Sequence, residues 1–438
     1  MNLFKYEFKR AFKKPITFLL ISLIIFLCIN VYTEMSFFNS KIKYNREITT
    51  SYFLAGEWRN TIEFIREQNL KEENYDEAIM IDGLLKYAQN AVESYDKGNY
   101  KEAYKNDLIA SMIEARLFSG EAETELLKSN IIHIWSELIP KIEYDSLKFA
   151  KLSTSDGVDG TKNRIIKIKY KYELINKNIR YIDNYSLNNV TFIYNVMDKI
   201  LPIILCIVVI FISFNSISDE YRLGIGKNIL AQPFKRSRYY ITMVLANFLA
   251  ISLIILVTVG ILSLFVGAIT EFYSFDTPIL AHNDQWTTMY RKGMDLKEAY
   301  NVSLQKSYLG PVEVNYDNLS KTLFSSIYFI SFRKLIIQAI SLSFLYTFLL
   351  TTISIFVSSI FKDKIKSLLV LITINAIGYI TSYFYPTILN FFSMSSTTKI
   401  ITGSSNFTLL GGLITLIVSI FISILISMWY LKRKDITN

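Results

Sequence analysis

Six separate stretches of this chain are apolar over a length that a lipid bilayer demands, and few other folds accommodate them. They are roughly Ile16–Tyr32, Ile200–Asn215, Tyr240–Ile269, Leu335–Phe361, Leu368–Tyr385 and Leu409–Leu431. A hydrocarbon core about 30 Å thick takes ~20 helical residues. The third and fourth stretches have residues to spare for tilt, whereas the second needs flanking residues and is expected to begin as early as Thr191. With 51% apolar residues among 438, the chain has apolar content for two soluble domains, but such domains would not gather it into blocks. The sequence therefore predicts an α-helical polytopic membrane protein. Its six transmembrane helices are placed at 16–35, 195–216, 240–269, 334–361, 367–385 and 408–431. The first block follows a basic start as a signal peptide would, yet its exit, NVYTEMSFF, offers no small-residue cleavage site, so a retained span is expected.

Basic residues set the orientation. Lys5, Lys9, Arg10, Lys13 and Lys14 precede the first span, and Arg222, Lys227, Lys235, Arg236 and Arg238 follow the second. Lys362, Lys364 and Lys366 follow the fourth, and Lys432, Arg433 and Lys434 close the chain. The short link 386–407, on the other side, has only Lys399. Both termini, the 217–239 loop and the 432–438 tail are thus expected in the cytoplasm. The net charge of +9 reads as topology and contact with lipid headgroups rather than nucleic-acid binding.

Residues 1–15 place Phe4, Phe8 and Phe12 at helical spacing, with Lys9 and Arg10 among the basic residues around them. This predicts an amphipathic helix lying in the cytoplasmic interface. Residues 36–194 form a large, mostly helical extracytoplasmic domain by the same topology, with helix-period runs such as AIMIDGLLKYAQNAVESY. The echo of NYDEA (Asn74–Ala78) in NYKEA (Asn99–Ala103) is too closely spaced for a tetratricopeptide repeat and reads as two helix starts. A polar loop is expected at Ser153–Asn163, followed by a β-leaning run, RIIKIKYKYELI. A second outside segment spans 270–333, where TLFSSIYFISFRK suggests a short interfacial helix. The 386–407 segment is apolar enough for short re-entrant helices.

Catalytic and cofactor signatures are missing. GIGKN (Gly224–Asn228) and GVDGTK (from Gly157) both fail the phosphate-loop spacing G-x-x-x-x-G-K-[ST], so no ATP hydrolysis is expected from this chain alone. His133 and His282 are the only histidines and have no nucleophile or acidic cluster nearby in sequence. Cys28 and Cys206 fall inside spans and read as packing residues, and no metal or other cofactor site emerges. No Asp, Glu, Lys or Arg falls in the core of a span, which disfavours an ion-coupled transporter. Asn30, Asn247, Gln338 and Asn375 are the strongest polar groups there and are expected to join helices.

The most distinctive stretch is EYRLGIGKNILAQPFKRSRYY, Glu220 to Tyr240, a short basic loop between the second and third spans. Glu220, Gly224, Gly226, Leu230, Pro233, Arg236 and Arg238 follow an order that resembles the cytoplasmic coupling loop of type-2 ABC exporter permeases. Ile225 and Gly226 replace the family's usual Gly-Thr pair. The resemblance implies a coupling helix in which Ile229, Leu230 and Phe234 form an apolar knob for an ATPase groove. The flanking cations would hold it at the headgroups, and Pro233 would end it. It also implies two partners: a cytoplasmic P-loop ATPase subunit, which would carry ATP and Mg, and a second permease subunit, identical or related.

The expectation is therefore a non-enzymatic permease subunit of an ATP-driven exporter for an amphiphilic substrate such as an antimicrobial peptide, lipid or drug. The competing reading is a membrane-anchored sensor that binds a ligand through its outside domain. Richness in Ile, Lys, Asn and Tyr suggests an AT-rich bacterial genome and a location in the plasma membrane.

Overall fold

A computed structural model describes residues 3–41, 46–117, 121–140, 157–219, 236–282, 308–310, 327–405 and 407–433. Among these, six helices are long and apolar enough to cross a membrane: Pro15–Phe37, Asn189–Ser213, Arg236–Ile269, Phe332–Ile360, Lys364–Phe384 and Leu409–Arg433. The chain is a helical polytopic membrane protein, as the apolar blocks predict.

Two helices precede the domain: α1 (Leu3–Lys13) and α2 (Pro15–Lys41), the latter carrying the first span. The domain then builds α3 (Thr49–Ala55), α4 (Arg59–Lys71), α5 (Tyr75–Asp96), α6 (Tyr100–Leu117), α7 (Glu121–Leu138) and α8 (Gly157–Asn176). The two NY-x-E-A strings are indeed two helix starts, at Tyr75 and Tyr100. Gly98, at φ +75°, supplies the left-handed residue that ends α5, and Asn99 then opens α6. Helix α6 is buried nearly all round, from Ala103 to Leu117, because α5, α7 and α8 surround it.

The run RIIKIKYKYELI is helix, not strand, and Gly157–Asn163 is its first turns rather than loop. Its alternating pattern misleads because α8 is covered on several sides at once, by α6, α7 and the small sheet. Ile165, Ile166, Ile168, Tyr170 and Leu174 are all buried, more than one helical face can carry.

The second span starts inside the domain. Asn188 is extended and its side chain accepts the Thr191 N–H at 2.9 Å, capping α9 (Asn189–Asn195). One π turn, Val196–Ile200, leads into α10 (Leu201–Ser213). Pro202 has no N–H to give, and the Leu201 N–H bonds back five residues to the Val196 carbonyl.

The third span is α11 (Arg236–Ile269). Beyond it β1 (Pro278–His282) pairs antiparallel with β2 (Ile327–Ser331), in register from Pro278 opposite Ser331 to His282 opposite Ile327. Within the run TLFSSIYFISFRK, where an interfacial helix was expected, Ile327–Ser331 is a strand and Phe332–Lys334 open the fourth span, while 322–326 lie outside the described residues. The sheet edge offered by β1 and the aromatic and β-branched residues of Ile327–Ile330 favour pairing. Ser331 ends the strand and caps α12 (Phe332–Ile360), the fourth span. The fifth is α13 (Lys364–Phe384), then a 3-10 turn at Phe391–Ser395, α14 (Thr397–Ile401), and the last span, α15 (Leu409–Arg433). Gly378 lets the 3-10 turn close in: a Cβ there would lie 2.1 Å from the Phe392 ring.

The domain is not a bead on a string. Its core of Trp135, Tyr170 and Ile113 runs without a break through Val190 and Met197 of the second span and Phe332 and Leu335 of the fourth. A second core joins all but the fifth of the spans and the 3-10 turn around Leu205, Ile254 and Tyr346. The fifth and sixth spans are the least enclosed, at 17% and 11% buried over their apolar windows.

Candidate functional site

Glu220, Gly224, Gly226, Ile229, Leu230, Pro233 and Phe234 of the loop motif lie outside the described residues, and Arg236 lies within them. The structure describes both roots of that loop. At the first root, α10 ends and the chain turns through Phe214–Asp219. Lys14, at the bend between α1 and α2, donates to the Ile212 carbonyl at 2.6 Å and to Asn215 Oδ1 at 2.7 Å. Ser358, near the end of α12, accepts the N–H of Ile217 at 3.0 Å and of Ser218 at 3.1 Å. Ser367, at the start of α13, donates to the Phe214 carbonyl at 2.9 Å. Three separate elements therefore grip the exit of the second span.

At the second root, Arg236 opens α11 and donates to the Leu431 carbonyl in the last turns of α15, at 3.2 Å. One turn on, Tyr240 is fully buried. Its hydroxyl donates to the Thr352 carbonyl of α12 at 2.8 Å and lies 3.0 Å from Ser427 Oγ of α15. A hydroxyl in such surroundings needs these partners, because a buried donor without one costs about 1–3 kcal/mol. Both ends of the loop are thus tied to α12, and through it to the rest of the bundle.

Helix α1 lies against the start of this region and packs on α11. Phe4, Phe8 and Phe12 form a ladder, with ring centroids 6.0 and 5.0 Å apart, and Phe8 and Phe12 pack against the bundle core. The most buried positions are Glu7 and Ala11, between the Phe row and the basic residues. Arg10 bonds to Glu7 at 3.4 Å, while Lys5, Lys9 and Lys13 are exposed. The polar contacts of Glu7 and Lys14 had no signal in the Phe spacing.

At the other end of the bundle, Lys199 pairs with Glu34 of the first span at 2.7 Å, and Asp198 accepts from Thr398 at 2.5 Å. Within the domain, Asp107 of α6 is buried and bonded to Lys171 of α8, and its other oxygen accepts the Ser51 N–H at 2.8 Å. Burial pushes Lys169 down to about 8, where its ammonium reaches Asn130 at 2.7 Å, and lowers Lys167 with help from the neighbouring Lys171 charge. Tyr104 is raised by burial and by the Glu47 carboxylate to which it donates. These groups sit in a folded core rather than a cleft.

Among the described residues no cluster of three or more His, Cys, Asp or Glu is placed to hold a metal ion. His133 stands edge-on to Tyr172, and His282 ends β1. Cys28 and Cys206 are free and buried, with Cys206 Sγ 3.2 Å from the Tyr346 hydroxyl.

Asn30, Asn247 and Asn375 were expected to join helices, but each donates to a carbonyl four residues back on its own helix. Among the described residues, bonds between elements of the bundle come instead from side chains such as Lys14, Tyr240, Ser358 and Ser367, to which the sequence assigned no such role, and from Cys206 with Tyr346. One signal for them existed. Thr351, Thr352, Ser354, Ser358 and Ser359 make the end of α12 unusually rich in hydroxyls for a span, and all are buried.

Comparison with family models supplies the missing context. The model described as ABC-2 family transporter protein matches residues 1–282, which takes in α1, the first three spans, the helical domain and the whole basic loop. No curated protein and no solved structure matches the chain. A match over more than half of the length, together with six spans and a loop rooted as described, makes the chain a member of the ABC-2 family of transporter proteins, the multi-pass membrane permeases that work with an ATPase subunit.

Proposed function

We propose that this chain is the permease subunit of an ATP-driven exporter and that residues 217–239 form its coupling site. The basic end of the bundle faces the cytoplasm and the helical domain lies outside. The observation that carries the reading is the pair of tethered roots. A loop held by Lys14, Ser358 and Ser367 on one side, and by Arg236 and Tyr240 on the other, delivers a push to several spans together. Coupling needs such a contiguous, hydrogen-bonded path.

In this scheme ATP and Mg reside on a cytoplasmic P-loop subunit. Ile229, Leu230 and Phe234 enter its groove, while Arg222, Lys227, Lys235 and Arg238 rest at the headgroups. ATP-driven closure of two such subunits would press on two permease chains. The second span is largely enclosed within one chain, whereas the fifth leaves Ile365, Leu369, Ile372 and Ile380 exposed. That exposure supports the fifth span as the face that meets a second permease. The charges within the first two spans, Glu34, Asp198 and Lys199, gather toward the domain end, and the uncharged remainder suits an amphiphilic substrate such as an antimicrobial peptide, lipid or drug.

The sensor reading needs the outside domain to act without the spans. The core shared by the domain with the second and fourth spans favours a domain that moves with the transport body instead. Glu220→Ala and Pro233→Ala test the proposal. In the reconstituted complex each should abolish substrate-stimulated ATPase activity while leaving assembly and thermal stability intact, and full stimulation in both would refute it.

A further inference from the structure

Spans two, three and four enclose a cavity of about 410 Å³ in the half of the bundle nearest the domain. This lies within the range of ordinary ligand pockets, about 300–1,000 Å³. No charged residue lines it, and its surface is almost wholly apolar. Four hydroxyl side chains depart from that rule, Ser252, Ser263, Ser343 and Thr347, and two of them stand apart from the others. Ser252 of α11 and Ser343 of α12 line the cavity, are 6% and 7% exposed, and have hydroxyls without a hydrogen-bond partner. Other hydroxyls on the same two helices fold back onto carbonyls four residues earlier, as Thr242, Ser341, Thr351 and Thr352 do. A hydroxyl left unpaired in an apolar site is costly unless something else satisfies it.

The two serines share a level. Phe248 touches the rings of Phe344 and Phe348, which sets Ser252, one turn further along α11, beside the turn of α12 that carries Ser343. From there the cavity runs toward the domain, where Phe275, stacked on Phe332, closes it. The π turn of the second span supplies Val196 and Met197 to the far wall. π turns of this kind often mark functional positions. On the near side, Leu256 and Leu264 are 40% and 64% exposed, so the mouth opens sideways between the third and fourth spans onto the bilayer. Gly260 lies in that mouth, and a Cβ placed there would meet nothing within 4 Å.

We infer that this cavity binds an uncharged, single-chain apolar molecule with one hydrogen-bonding oxygen, of the long-chain alcohol type, drawn from the bilayer. The chain occupies the apolar length, and the oxygen meets Ser252 and Ser343. An ionised headgroup has no counter-charge here and is excluded by its desolvation cost. Binding at this site needs neither ATP nor a partner subunit, so it stands or falls separately from the coupling proposal.

The test uses the full chain in phosphatidylcholine vesicles with a diazirine-bearing long-chain alcohol, and with a diazirine-bearing phosphatidylcholine as the bulk-lipid comparison. The alcohol should label residues of α11 and α12 around the cavity saturably and be displaced by unlabelled alcohol. Ser252→Ala with Ser343→Ala should lower that labelling about tenfold, the loss expected for two neutral hydrogen bonds. Gly260→Leu, whose Cβ would enter open space at the mouth, should block it without lowering the melting temperature. Labelling that does not saturate, matches the phosphatidylcholine probe and persists in Gly260→Leu would overturn the site. Saturable labelling unaffected by the double serine variant would overturn the role of the oxygen.

Discussion

Replacing Ser358 with alanine removes one oxygen and strands two backbone donors. Ser358 Oγ accepts the Ile217 N–H at 3.0 Å and the Ser218 N–H at 3.1 Å, and all three residues are buried. A buried donor without a partner costs about 1–3 kcal/mol, so two cost about 2–6 kcal/mol if the turn stays in place. Against a typical total stability of about 5–15 kcal/mol, that is enough to release the turn rather than the whole fold. The readout is hydrogen exchange on the full chain in nanodiscs. The amides of residues 217 and 218 should exchange at least about 30-fold faster, the factor that corresponds to the lower limit of the cost. Substrate-stimulated ATPase activity of the assembled transporter should fall with it. Ser358→Thr keeps the oxygen and should retain both protection and activity. Unchanged protection at 217 and 218 in Ser358→Ala would refute the claim that this serine holds the root of the coupling loop.

Asp107→Leu leaves Lys171 charged and buried without its partner, which costs about 3–5 kcal/mol of domain stability. Adding Lys171→Met should recover most of the loss in chemical denaturation, and a double variant no more stable than the single would contradict the pairing. Lys169 holds its proton less tightly in the fold, at about 8, than in the unfolded chain near 10.5. The unfolded state then carries more protons between those values, so stability should rise as pH climbs from about 8, with a constant penalty below it. Lys169→Met should flatten that rise in thermal midpoints taken from pH 7 to 10, and parallel curves would count against the assignment. Gly378→Ala drives a methyl group into the Phe392 ring, and overpacking of this kind typically costs about 1–3 kcal/mol, to be read as a lowered melting temperature.

The spans were legible because a bilayer leaves one reading for a long apolar block. The Phe4, Phe8 and Phe12 ladder and the two Asn-Tyr helix starts were legible for a similar reason, since each is a local periodicity or cap. What escaped was decided by distant partners. RIIKIKYKYELI alternates like a strand, yet α6, α7 and β1 cover it on several sides, so no single face needed to be polar. IYFIS reads as interfacial helix until β1, more than 40 residues earlier, offers it an edge. The early start of the second span could be anticipated near Thr191 but not its π turn, for which the local sequence carries no periodic signal. The polar contacts between spans were misjudged for a chemical reason. An asparagine can satisfy its amide on its own helix, as Asn247 does, whereas the Tyr240 hydroxyl stands far enough from its backbone to reach another.

The central claim is that the loop between the second and third spans meets an ATPase, and a photo-crosslinker at Leu230 in native membranes tests it most directly. The account predicts capture of a cytoplasmic P-loop ATPase subunit, lost when Pro233 is replaced. Well-expressed protein that captures only another copy of itself or lipid would contradict the coupling role assigned to this loop.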